Sequence, residues 1–184
     1  MKTAQEMYQY SVANGFGEGT SEKWSLKHFL IIEDALQKDE DVIMSFIGLH
    51  NYISPTKHDN NFAYAITNKR ILMAQQKMIG QVFQSVLIDN LNDITMSTSM
   101  FWGIITVDTI KETFNVGVGK GCAVSINEKI HDALHSLKEE RKQPTPVHTT
   151  SSSADEIIKF KKLLDDGIIT QEEFDKKKKQ LLGV

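Results

Sequence analysis

From Val42 onward the apolar residues fall into seven short runs with strand-like composition, and one amphipathic helix comes after them. The runs are Val42–Tyr52, Phe62–Thr67, Arg70–Gln75, Val82–Ile88, Asp93–Thr98, Ile104–Thr109 and Glu112–Val116. Turn signals separate them: Ser54-Pro55, His58-Asp59-Asn60-Asn61, Asn68-Lys69, Ile79-Gly80 and Asp89-Asn90. Spacings this short leave no room for crossover helices, so the runs predict an antiparallel meander. After Gly121, Ile130, Leu134 and Leu137 recur at i, i+4, i+7, one apolar stripe to lay across a sheet. Ser125 and Glu128 have the spacing of a capping box for that helix.

Two helices precede the strands. Lys2–Val12 reads as a weak helix, ended by the glycines at 15, 17 and 19. Ser21 is placed to cap a second helix over about Glu22–Gln37, whose broad stripe of Trp24, Leu26, Phe29, Leu30 and Leu36 predicts packing on the next part of the chain.

Charge excludes one class of function. The whole chain carries 21 basic and 24 acidic residues. Residues 1–140 hold 12 basic against 17 acidic, and residues 154–184 hold 7 of each. A nucleic-acid footprint needs clustered excess cations, and none is present. The run Lys176–Lys179 comes after Glu172, Glu173 and Asp175 at helical spacing, the pattern of a solvated face of paired charges. No apolar run is long enough to span a membrane, and MKTAQEMYQY has no signal-peptide apolar segment. The single cysteine, Cys122, sits in an apolar stretch and reads as a small buried hydrophobe; together these features predict a cytoplasmic protein.

The strand region resembles a known family. Phe62-Ala63-Tyr64-Ala65-Ile66-Thr67-Asn68-Lys69-Arg70-Ile71-Leu72 is similar to the Thr-Asn-Lys-Arg hairpin of bacterial pleckstrin-homology (PH) proteins, notably the YokE-like PH family. Leu36-x-x-Asp39-Glu40-x-Val42 looks like that family's entry into the first strand, and Val86-Leu87-Ile88-Asp89 through Asp93-Ile94 like a strand pair further on. The resemblance runs from about Trp24 to Leu137. It implies a mainly β fold with helices: a seven-stranded antiparallel PH-like barrel capped by a C-terminal helix. In the hairpin, Asn68 is expected to take the positive φ of a tight turn and Arg70 to start the returning strand.

Beyond this body, Pro144–Ser153 reads as a tether, and residues 154–184 hold two short amphipathic helices. The first carries Ile157, Phe160 and Leu164 and stops at Gly167; Thr170 and Glu173 form a capping box for the second, which carries Phe174, Leu181 and Leu182. A hairpin this small buries too little to stand alone, which predicts contact with another copy or another protein. Leu163-Leu164-x-x-Gly167-Ile168-Ile169-Thr170-x-Glu172-Glu173-Phe174, with Lys177, Lys178, Leu181 and Leu182, resembles the SHOCT (short C-terminal) module of bacterial and phage proteins. That resemblance implies assembly or partner contact. The expected organisation is a helical segment over 1–23, a PH-like domain over 24–140, a linker over 141–153 and a hairpin over 154–184. Ile157, Phe160, Leu164, Ile168, Phe174 and Leu181 are the expected oligomerisation residues.

Several constellations invite chemistry. His131 and His135 share a helix face at i, i+4, but Asp132 stands where a zinc protease has Glu and no third ligand suggests itself. Gly117-Val118-Gly119-Lys120-Gly121 lacks the Walker A spacing and the third glycine of a dinucleotide loop; its glycines are expected to turn strand into helix. Lys57, with Lys69, is a candidate anion contact, though one or two lysines give only weak membrane attraction. Met100, Phe101 and Trp102 form either an exposed partner surface or, for Trp102, a wedge against the N-terminal helix. No Ser or Cys has a nucleophile's setting. The expected function is a non-enzymatic interaction or scaffold protein, without cofactor, metal or small-molecule substrate. It would bind itself and a protein partner, with phage–host contact one setting. A peripheral anionic-lipid binder and a small-ligand or nucleotide binder are the alternatives.

Overall fold

The computed structural model describes residues 1–17, 20–142 and 153–182. The chain divides into two compact units, 1–140 and 141–184. The tether over 144–152 and Gly19 of the glycine break lie outside the described residues.

Two helices open the first unit, α1 (Ala4–Ala13) and α2 (Glu22–Ala35). The chain then forms β1 (Val42–His50), β2 (Asn61–Thr67), β3 (Arg70–Gln76), β4 (Gln81–Leu87), β5 (Leu91–Thr98), β6 (Trp102–Thr109) and β7 (Thr113–Gly119), and closes with α3 (Lys120–Lys142). The seven strands make one antiparallel sheet in the order β4-β3-β2-β1-β7-β6-β5. Strands β1 and β7 meet over a short stretch, Leu49↔Gly117 and His50↔Val116, so the sheet folds into two halves around a common interior. A 3-10 turn at Ile88–Asn90 joins β4 to β5, which remain the sheet's two edges. The expected seven-stranded PH-like plan is the one found.

Strand composition reflects what covers each face. In β6 the burial alternates along the strand, inward residues Gly103, Ile105, Val107 and Thr109 against more open neighbours. In β2 and β3 nearly every residue is buried, because both faces are covered. Inward, Phe46, Tyr64, Ile66, Met73, Ile94, Ile105, Phe114 and Val116 meet Ala123, Ile126, Ile130 and Ala133 of α3. Outward, Ile47, Ala63, Ala65, Leu72 and Ala74 receive Met7 of α1 and Phe29, Ile31 and Ile32 of α2. The alanines keep that outer face flat enough for two helices to lie close. Residues 1–17 are thus built into the body: Met7 is fully buried, Phe16 reaches the inner core, and the Ser45 hydroxyl donates to the Met7 carbonyl at 2.7 Å.

Three local readings need correction. Helix α1 starts later than expected because Thr3 and Glu6 form a capping box at its N-terminus. Ser125 and Glu128 cap nothing: β7 runs to Gly119 and α3 begins at once, its first N–H, at Lys120, donating to the Phe101 carbonyl. Asn68 does not take positive φ; that conformation falls to Asn51 and Asn60, which flank the β1–β2 loop. Asn68 instead accepts from the Asp41 N–H at 3.0 Å and donates to the Asp39 carbonyl at 3.2 Å, tying the β2–β3 hairpin to the chain entering β1. Ser21 caps α2 as expected.

The second unit contains α4 (Ser153–Asp165) and α5 (Gln171–Leu182). Gly167, at φ 69°, ends α4: its N–H donates to the Leu164 carbonyl and that of Ile168 to the Leu163 carbonyl, the two bonds of a Schellman motif. Thr170 and Glu173 exchange the reciprocal bonds of a capping box. The turn between α4 and α5 is therefore fixed by the residues that marked it in the sequence.

Candidate interaction site

The Thr-Asn-Lys-Arg hairpin is a structural clamp. Arg70 donates to both Glu40 oxygens at 2.8 Å and to the Ala35 carbonyl at 2.9 Å. Thr67 adds its hydroxyl at 2.8 Å and Gln37 its N–H at 3.1 Å, so the Glu40 carboxylate, fully buried, is saturated with donors. Burial would raise its pKa, but the bonds from Arg70, Gln37 and Thr67 and the Arg70 charge outweigh it and hold the group at about 2. Glu40 lies in the segment between α2 and β1 and Arg70 opens β3, so the pair ties that segment and the end of α2 to the β2–β3 hairpin. Arg70 is thereby committed to the fold.

Lys57 and Lys69 are not brought together. Lys57 lies in the β1–β2 loop, where it bridges to Ser54, whereas Lys69 comes after β2 and donates to the Gln37 side chain at 3.1 Å. The seven residues of β2 stand between them, about 20 Å at the rise of a strand.

Met100, Phe101 and Trp102 separate in role. Met100 and Phe101 form the tip of the β5–β6 hairpin and are 77% and 73% exposed. Trp102 is half-buried and packs on the Tyr52 ring at 5.2 Å, so its support is the β1–β2 loop and not the N-terminal helix. Tyr52 in turn lies flat over Gly117, where any β-carbon would collide with the ring. That close approach, within β7, is what Gly117 provides; neither it nor Gly119 takes positive φ, and the expected passage from strand to helix comes directly after Gly119. Ile53, beside Tyr52, and Val124, in the first turns of α3, are also exposed. The sequence marked the tip but gave no sign of this ledge, because Tyr52, Trp102 and Gly117 lie on three separate elements.

A groove of about 390 Å³ runs between the start of β5 and α3, with Ile88, Leu91, Ile94 and Leu134 as its apolar lining. His131 and His135 stand on its rim. Among the described residues, no group of three or more His, Cys, Asp or Glu side chains is placed to hold a metal ion. Cys122 is half-buried against the core, and its thiol bonds the Gly119 carbonyl at 3.2 Å. Among the described residues no helix is long and apolar enough to cross a membrane.

In the second unit Phe174 is buried and Lys177 lies over the Phe160 ring at 5.8 Å. Ile157, Phe160, Leu164 and Leu181 are half-buried, and Ile168 is 67% exposed. Ile158, absent from the expected set, is as exposed as Ile168.

No curated protein matches the chain. Among solved structures it is similar to the N-terminal PH domain of Vps36, at 16% identity over 56% of this chain and 86% of that one, with a TM-score of 0.45. A DUF1696 family protein with a pleckstrin-homology domain from Shewanella loihica PV-4 aligns at 14% identity over 56% and 90%, with a TM-score of 0.39. The C-terminal domain of an unknown protein from Leishmania infantum aligns at 21% identity over 53% and 84%, with a TM-score of 0.40. The bacterial PH domain family model matches residues 36–140 and the short C-terminal domain model matches residues 155–182. The chain belongs to the bacterial PH domain family and carries a SHOCT domain after it.

Proposed function

We propose that this protein is a non-catalytic cytoplasmic adaptor that self-associates through its SHOCT hairpin and so presents several PH-like bodies to a protein partner. The observation that carries this reading is the hairpin's incomplete burial. Phe174 is covered, yet Ile157, Phe160, Leu164 and Leu181 are half-buried and Ile158 and Ile168 are 67% exposed. Apolar surface of that kind on so small a unit favours burial against another copy. Assembly then multiplies weak contacts made by each body into avidity. In this reading the body meets its partner through Met100 and Phe101; their exposure supports it, since methionine and aromatic side chains are enriched at interface centres.

Light scattering after size exclusion tests the assembly step. The full-length protein should be a multimer, and Ile158→Glu/Ile168→Glu, which alters only exposed positions, should reduce its mass. If the substituted protein keeps the full multimer mass, the hairpin is not the assembly device. A protein that is monomeric without any substitution refutes self-association altogether.

A further inference from the structure

The sheet has two edge strands, and they are protected very differently. Edge strands offer unpaired N–H and C=O groups to any passing chain, so proteins blunt them with charges, prolines, bulges or covering elements. Strand β5 has such devices: a register shift between Leu91 and Asp93, the exposed Asp93, and α3 across the groove at its start. Strand β4 has none. Its seven residues, Gln-Val-Phe-Gln-Ser-Val-Leu, contain no charge, proline or glycine. Its register on β3 is unbroken from Arg70↔Leu87 to Gln76↔Gln81. On the far side of β4 no strand pairs with it among the described residues; Gln84, Ser85 and Val86 line one wall of a groove of about 320 Å³ whose other wall is Asn90 and the β6–β7 turn, Thr109, Lys111 and Glu112. Phe83 and Leu87, on the face that α1 and α2 cover further along the sheet, are 37% and 53% exposed.

The geometry points to β4 as a seam between two copies of this chain, paired antiparallel about a twofold axis at Gln84. The strand is self-complementary in that register. Gln84 faces Gln84, whose amides can each donate and accept. Val82 faces Val86 on the inner side, where both already pack partly against the core. On the outer side Phe83 faces the small Ser85, so a bulky ring meets space in both halves. The pairing is isologous, as a twofold dimer requires. The lack of charge matters most at position 84, which faces its own copy, because a charged side chain there would meet its like. This seam does not depend on the hairpin, so the two contacts can operate in one assembly.

Disulfide trapping in the full chain tests it. In a Cys122→Ala background, Gln84→Cys should form a covalent dimer under mild oxidation, since directly opposed residues are about 4.5–5.5 Å apart and a disulfide spans that distance. Gln81→Cys should not, because its two copies would stand about 20 Å apart along the strand. Adding Phe174→Asp, which disrupts the hairpin, should leave the Gln84→Cys dimer in place. Gln84→Lys, without cysteine, should lower the dimer fraction, most at low salt. No trapping at position 84 would overturn the proposal and leave the edge to a foreign strand. Equal trapping at 81 and 84 would overturn the register, and loss of trapping with Phe174→Asp would assign the contact to the hairpin.

Discussion

Replacing Glu40 by Gln gives the sharpest check on how this barrel is held. The carboxylate is fully buried, and it accepts from Arg70 twice, from Thr67 and from Gln37. Folding lowers its pKa from the ordinary 4.5 to about 2. At about 1.36 kcal/mol per pH unit, that gap caps the linked stability near 3 kcal/mol. Solvent at the Arg70 side chain, 14% exposed, screens the pair and brings the expected contribution to about 2 kcal/mol. Because the folded value is depressed, the stabilisation is complete above pH 4.5 and disappears as the pH falls towards about 2. Glu40→Gln should therefore cost about 2 kcal/mol at pH 7, where it strands the Arg70 charge, and much less at pH 3. Urea denaturation of both proteins across that pH range is the assay. A loss below about 0.5 kcal/mol at pH 7, or one of equal size at every pH, refutes the clamp; both lie outside what a saturated buried carboxylate can give. Arg70→Leu should do comparable damage, and the double variant Glu40→Leu/Arg70→Leu should recover part of it, since an apolar pair leaves no buried charge.

Other consequences rest on single contacts. Gly103→Leu should lower the melting temperature, with a loss of about 1–3 kcal/mol, because a β-carbon at 103 overlaps that of Ala123 and must push α3 away. Gly167→Ala, at φ 69°, should cost the hairpin about 1 kcal/mol and appear as faster amide exchange across α4 and α5, with the body unchanged. Burial lowers the pKa of His50, whose Nδ1 lies 2.8 Å from the Tyr64 hydroxyl, against the opposing charges of Asp59 and Glu112. The folded state thus favours the neutral ring, so stability should fall as the pH drops below 6.5, and His50→Gln should flatten that slope in denaturant titrations between pH 8 and 5.

How much of the fold and the site was legible in the chain varies with the range of the interaction. Strand runs, turn signals, the Ser21 cap, Gly167 and the Thr170–Glu173 box depend on neighbours a few residues away, and each was readable as a pattern in the chain. The continuous burial of β2 and β3 was not, since nothing in Phe62–Thr67 says that a second layer of helices covers its outer face. The clamp lay half in view: Glu40 and Arg70 stood out as motif positions, but only the hairpin's return places them 2.8 Å apart. The Tyr52–Trp102–Gly117 ledge and the bare edge of β4 were hidden for the same reason, as both exist through contacts between strands distant in the chain.

The sequence by itself determined the periodicities, the caps and the two family motifs, because backbone preference and local hydrogen bonding act over one turn or one hairpin. The tertiary structure decided which strands became edges, which face took the N-terminal helices and which apolar side chains were left uncovered, because those outcomes depend on how separated segments compete for the same buried surface.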